Sequence, residues 1–107
     1  MVNGRQIAAA RVWLGISQSE LGLDASVATR TIAHLEKGGR VLHNRTLEAL
    51  VKSLQEMGVE FLEDEKDPKI GVGIRVREAR ISQAILDART IGDKRGRKPR
   101  ISKQRDD

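Results

Sequence analysis

The chain has 107 residues with one tryptophan, one phenylalanine and no tyrosine, which suits about one domain with an aliphatic core and argues against aromatic stacking on unpaired bases. It contains no cysteine, which excludes disulfides and thiolate metal sites and favours a reducing compartment. The formal net charge is +5, no apolar run approaches the roughly 20 residues that span a bilayer, and the N-terminus lacks a signal-peptide pattern, so we expect a cytoplasmic protein with no membrane partner.

Two capping-box patterns predict the first two helices, because an Asn or Ser is followed three residues later by Gln or Glu. These pairs are Asn3 with Gln6 and Ser17 with Glu20. The first helix is predicted over about 4–14 and ends at Gly15, which favours a C-terminal cap. The second is short, ends near Asp24, and is followed by a tight turn over 25–27.

Helical periodicity continues through two further segments before residue 58. The third helix is predicted over about 28–36 and stops at Gly38-Gly39. Asn44 is predicted to cap a fourth helix, which Gly58 closes. The inward positions are Ile32 and Leu35 on the third helix and Leu47, Leu50, Val51 and Leu54 on the fourth.

After Gly58 the apolar period changes from helical to alternating, which predicts a strand over 70–77. One face is expected to hold Ile70, Val72, Ile74 and Val76, and the other Gly71, Gly73, Arg75 and Arg77. Residues 59–62 supply an antiparallel partner and the acidic stretch 63–69 the loop. A bare hairpin is marginal in water, so we expect this one to lie on the helices or to pair with a second subunit.

A last amphipathic helix is predicted over 78–91, ending at Gly92, with Ile81, Ile85 and Ala88 on one face. Residues 94–105 carry seven Lys or Arg and no acid, whereas residues 1–93 carry 13 basic and 13 acidic side chains. Such a block is expected to be disordered and to attract polyanions, although a solubilising tail is the alternative. The predicted units are a helical domain (1–58), a β-hairpin extension (59–77), a C-terminal helix and possible dimerisation element (78–92) and a basic disordered tail (93–107).

Two short helices joined by a tight turn are typical of a helix-turn-helix, in which the second helix enters the DNA major groove. The ordered signals are Gly15-Ile16-Ser17-Gln18, Leu21, Val27, Thr31-Ile32, Leu35-Glu36 and Gly38. Over residues 5–57 this arrangement resembles the bacterial and phage Cro/C1 (Xre-type) repressor family, with the pattern G-x-S-Q-x-x-L followed by G-V-S-x-x-T-I-x-x-x-E-x-G. The chain departs from that pattern at Ser26, where the family often has Gly, and at Ala28, where a Ser caps the recognition helix.

The resemblance implies a mainly α, four- to five-helix lambda-repressor-like domain in a transcription regulator that binds double-stranded DNA as a homodimer and needs no cofactor. The candidate base readers on helix 3 are Thr29, Arg30, Ala33 and His34, with Ala28 at its entry. Arg30 is the strongest of these because a guanidinium bonds guanine O6 and N7 together, and a phosphate contact is its alternative. His34 has the alternative of a plain surface residue.

Other candidate contacts surround helix 3. Ser17 and Gln18 begin helix 2, whose free N–H groups favour a phosphate, and the alternative for Gln18 is an ordinary surface residue. Lys37, Arg40 and Arg45 flank helix 3 where phosphates are expected to pass, or else form a solvated face. In the family, positions such as those of Arg11 and Glu36 form an internal ion pair, so we expect a structural role for both.

The tail segment Arg95-Gly96-Arg97-Lys98-Pro99 resembles an AT-hook core with a Lys inserted before the Pro, and Arg100 follows it. An Arg-Gly-Arg core fits the floor of a narrow A·T minor groove, and generic attraction to phosphates is the alternative.

An enzyme is not expected, because the chain has two histidines, no cysteine, and neither a Gly-rich phosphate loop nor a spaced metal-ligand motif. The competing hypothesis is a protein-interaction module, an antitoxin or antiactivator, that keeps the fold and binds a protein partner through the acidic loop over 60–67 and the apolar helix over 78–91.

Overall fold

The computed structural model describes residues 2–39 and 44–95, and within them the chain is mainly helical, as predicted. The elements are α1 (Gly4–Leu14), α2 (Gln18–Ala25), α3 (Thr29–Glu36), α4 (Asn44–Glu56), β1 (Val59–Glu63), β2 (Gly71–Val76) and α5 (Gln83–Arg95). No helix in this part of the chain is long and apolar enough to cross a membrane.

Both predicted capping boxes are present. The Asn3 side chain accepts from the Gln6 N–H at 3.0 Å, and the Gln6 side chain accepts from the Asn3 N–H at 3.0 Å. Ser17 and Glu20 exchange the same pair of bonds at the start of α2. The prediction for α4 was one residue off, because Asn44 is its first helical residue and not its cap.

Aliphatic side chains from all five helices form one core. Its largest fully buried side chains are Ile7, Leu21, Ile32, Leu50, Leu54, Met57 and Ile85. Close backbone contact between α1 and α3 requires Gly4, since a Cβ there would lie 2.0 Å from the Leu35 carbonyl oxygen. The core therefore fixes α3 against α1 and leaves its opposite side open.

The hairpin packs on the helices, and a β-bulge changes which side chains it buries. Leu62 pairs with Gly73 but Glu63 pairs with Gly71, which leaves Val72 as an extra residue on β2. An inserted residue reverses the alternation beyond it. The predicted four-residue face was therefore wrong: Ile74 and Val76 pack against the core, whereas Ile70 and Val72 are exposed.

Gln6 joins the hairpin to α1. Its buried side-chain Nε2 donates to the carbonyl oxygens of Leu62 at 2.9 Å and Gly73 at 2.8 Å. Asn3 Nδ2 adds a longer bond of 3.4 Å to the Gly71 carbonyl. These bonds place the outer strand β2 along the first helix.

The last helix is shorter at its start and longer at its end than predicted. Glu78 has a left-handed backbone at φ 48°, and the Arg80 N–H donates to the Met57 carbonyl, so the chain over 78–82 is not helical. Ile81 packs on the core from this segment. Helix α5 begins at Gln83 and continues through Gly92 to Arg95, so residues 93–95 belong to a helix and not to the predicted disordered tail.

Candidate nucleic-acid interface

The turn between α2 and α3 has the geometry of a helix-turn-helix. Ser26 takes the left-handed conformation at φ 59° that Gly often supplies at this position, and the Val27 N–H donates to the Gly22 carbonyl at 3.0 Å. A Cβ on Gly22 would lie 2.5 Å from the Val27 carbonyl oxygen. Gly22 thus permits the close crossing of α2 and α3. This role was not predicted, although a glycine five residues before Val27 was the available signal.

Helix α3 has one buried and one open side. Ile32 and Leu35 are buried, whereas Thr29 and Arg30 are exposed and Ala33 is half-buried. Ala28 precedes the helix with extended backbone and no side-chain cap, so the helix begins at Thr29. Within residues 2–39 and 44–95, Arg30 makes no ion pair or side-chain hydrogen bond.

The His34 ring lies against the turn that ends α3. A Cβ on Gly39 would lie 2.2 Å from His34 Nε2, so glycine leaves the space that the imidazole occupies. The Gly39 N–H also donates to the His34 carbonyl at 3.0 Å. His34 is exposed but packs over its own helix terminus, which places its ring further along the helix than Arg30.

The amino end of α2 is tied to the end of α3. Gln18 Nε2 donates to Glu36 Oε1 at 3.1 Å, so this predicted phosphate ligand already has one internal partner. Ser17 uses its hydroxyl in the helix cap. The backbone N–H groups of Gln18 and Ser19 have no hydrogen-bond acceptor within the described chain.

Arg11 and Glu36 form a two-pronged ion pair behind this surface. Arg11 Nε lies 2.8 Å from Glu36 Oε2 and Nη2 lies 3.0 Å from Oε1, while Nη1 donates to the Ile16 carbonyl at 3.0 Å. Their side chains are 17% and 8% exposed. Burial alone opposes ionisation of Glu36, but the hydrogen bonds from Arg11 and Gln18 outweigh it and lower its pKa. The pair joins α1, α2 and α3.

A second ion pair joins α5 to α2. No local sequence pattern predicted it. Arg89 Nε lies 2.6 Å from Glu20 Oε2, and Nη2 reaches Glu20 Oε1 at 3.0 Å and the Gly15 carbonyl at 3.2 Å. The hydrogen bond from Arg89, followed by that from the Ser17 N–H, lowers the pKa of Glu20 to about 2. Helix α5 is thereby held at the amino end of α2.

The remaining predicted contacts divide between exposed and undescribed positions. Lys37 and Arg45 are exposed at the end of α3 and the start of α4. Arg95 is the last residue of α5. Arg40, Gly96, Arg97 and Arg100, and with them the AT-hook-like core, lie outside the described residues.

Within the described ranges, no cluster of His, Asp or Glu has the arrangement of a metal site.

Among curated proteins, none matches the chain by sequence. A family model described as helix-turn-helix matches residues 7–60, which includes α1 to α4 almost completely and the start of β1. The chain therefore belongs to the Cro/C1-type (Xre-type) helix-turn-helix family of DNA-binding regulators.

Proposed function

We propose that this protein is a sequence-specific transcriptional repressor of the bacterial cytoplasm that reads the major groove of duplex DNA with α3. The observation that carries the proposal is the open side of α3, where Arg30 is exposed and has no ion-pair partner among the described residues. An unpaired guanidinium is free to bond guanine O6 and N7 together. The opposite side of the helix is occupied by the core.

The surroundings of α3 suit a DNA backbone on either side. Exposed Lys37 and Arg45 lie where α3 ends and α4 begins. At the amino end of α2, the N–H groups of Gln18 and Ser19 have no acceptor in the part of the chain that the structure describes. Such groups position a protein on phosphates without reading sequence. We assign Thr29, Ala33 and His34 to the margins of the base-reading surface.

We further propose that the protein acts as a homodimer on inverted repeats whose half-sites lie about one helical turn apart. Arg95, the last residue of α5, and the basic segment that follows it add backbone or minor-groove contacts, the latter through Gly96, Arg97 and Arg100.

The test begins with selection of a preferred operator from random duplexes, followed by anisotropy titrations of the Arg30→Ala variant. Loss of a bidentate base contact should weaken operator binding by about 1 to 3 kcal/mol and leave random-sequence binding nearly unchanged. The matched control is Arg77→Ala, an exposed arginine at the base of the hairpin beside the carboxyl end of α4.

Equal losses of affinity for the operator and for random-sequence DNA would indicate that Arg30 contacts a phosphate and does not read a base. If the wild-type protein selects no operator and its binding is entirely nonspecific, the protein-interaction module becomes the better hypothesis.

A further inference from the structure

The bulge in β2 turns apolar side chains away from the core. Ile70 is 47% and Val72 60% exposed, although an unbroken alternation would have directed both towards the helices with Ile74. The surface that they share, called the outer hairpin face, consists of Glu60, Leu62, Ile70, Val72, Gly73 and Arg75. A bulge that exposes apolar side chains has a cost in water, which a partner on this face would remove.

The outer hairpin face is flat at its middle. A Cβ on Gly73 would meet no atom within 4 Å, so the backbone of β2 is open to close approach there. Glycine weakens a strand interior, and it is favoured where another chain lies close to the backbone. Leu62, which pairs with Gly73, is half-buried and absent from the side chains packed on the core.

The charges on this face select its occupant. Residues 60–69 hold five acidic and two basic side chains, which disfavours DNA as a partner of this surface. One acid and one base remain beside the apolar patch: Glu60 and Arg75 form an exposed pair at 3.2 Å, with side chains 52% and 49% exposed. An exposed acid and base on one surface can complement a second copy of that surface, because a two-fold axis lying between them places the acid of each copy on the base of the other.

We propose that the outer hairpin face is the self-association surface of this regulator, with Glu60 of one protomer against Arg75 of its partner and the Ile70–Val72 patches in contact. This deepens the proposed function, since it specifies how two copies occupy an inverted repeat.

The size of the face sets the strength of the association. Strands of five and six residues give a surface about 20 Å long and 10 Å wide, whereas a stable complex buries about 800 Å² on each partner. The free protein is therefore mainly monomeric at micromolar concentration, and two half-sites on one DNA supply the proximity that joins the hairpins.

The experiment compares full-length protein binding to one half-site and to the complete inverted repeat of the selected operator. Glu60→Lys and Arg75→Glu each place like charges across the two-fold axis, so each alone should lower cooperativity on the repeat by about tenfold. Half-site affinity normalises for the altered net charge. An equimolar mixture of the two variants should recover the cooperativity, because a +2 face then meets a −2 face.

The mixture separates association from folding, since neither variant regains its own internal ion pair when they are mixed. A second comparison pairs Val72→Lys, which should abolish cooperativity, with Val12→Lys, a change of the same kind at a valine 66% exposed on α1. The control variant should bind the repeat as the wild type does.

Independent filling of the two half-sites by wild-type protein would overturn the proposal, as would full cooperativity in both charge variants or a mixture no better than either alone. If no DNA is bound specifically, the proposed function fails instead. Sedimentation of the same proteins at several hundred micromolar then decides the self-association, with the mixture again expected to sediment faster than either variant.

Discussion

Replacing Arg11 by Met should destabilise the protein at neutral pH through the charge it leaves behind. The guanidinium makes three hydrogen bonds of 2.8 to 3.0 Å, two of them to a Glu36 side chain that is only 8% exposed. Without it, the Glu36 carboxylate keeps the Gln18 bond but no counter-ion. Removing one partner of a buried pair costs about 3 kcal/mol or somewhat more.

The companion variant changes both residues. Replacing Arg11 and Glu36 together by Met removes the buried charges as well as their attraction, and well-packed apolar side chains often substitute for such a pair without loss. The double variant should therefore be more stable than Arg11→Met alone. Urea denaturation followed by helical circular dichroism measures both, since Trp13 is 62% exposed and its fluorescence reports little of the core.

The loss of stability in Arg11→Met should depend on pH, because the replacement changes the direction in which folding shifts the Glu36 pKa. In the wild type the pKa of Glu36 is lowered on folding, so this group contributes stability above the unfolded-state pKa of about 4.5 and loses that contribution as pH falls through the folded value. In Arg11→Met, burial raises the Glu36 pKa instead. The difference in unfolding free energy between the wild type and Arg11→Met should therefore become smaller towards pH 3. The reasoning would be refuted if Arg11→Met lost less than about 1 kcal/mol of unfolding free energy at pH 7, or if its difference from the wild type were the same at pH 7 and pH 3.

Two further predictions concern the Glu20–Arg89 ion pair and the basic residues that follow α5. The Glu20 pKa is lowered to about 2, so the contribution of Glu20 to stability is present above about pH 4.5 and is lost as the pH falls towards 2. In Glu20→Gln the melting temperature should therefore depend less on pH between about 4.5 and 2 than it does in the wild type. An unchanged pH profile would contradict the assignment. Truncation after Arg95 removes five basic side chains, and if about three contact phosphates, the slope of log affinity against log salt should become shallower by about 3. A full-length variant with those five residues changed to Gln should match the truncation, whereas an unaltered slope in both would make the tail a bystander.

Local chemistry explains what the sequence predicted well. The Asn3 and Ser17 capping boxes involve groups three residues apart, and Gly15 marks the end of α1 with a left-handed φ of 71°. Signals of this range are complete within one turn of the chain, so α1 and α2 began where expected. The buried stripe of α3 followed from periodicity alone, which left the opposite side as the candidate reading surface.

The errors arose where distant groups decide. Alternation along 70–76 could not reveal the bulge at Val72, because the register is set by pairing with β1 and by side chains of α1 on the strand carbonyls. Ile81 fitted a helical stripe but packs on the core from a segment that is not helical. Arg89 and Glu20 are 69 residues apart in the sequence, so the spacing rules that identify contacts within a helix or a strand could not predict their ion pair.

The Gln6 amide also constrains when the fold is completed. Its two acceptors follow it in the chain by 56 and 67 residues. At about 5 to 20 residues per second, a ribosome needs roughly 3 to 13 s to synthesise the second acceptor after Gln6. Contacts of such long sequence separation form late, since loop closure must precede them. A nascent chain that already contains the whole helix-turn-helix therefore still lacks the strand that holds its first helix, so the position of α1 should become fixed only after β2 has been synthesised.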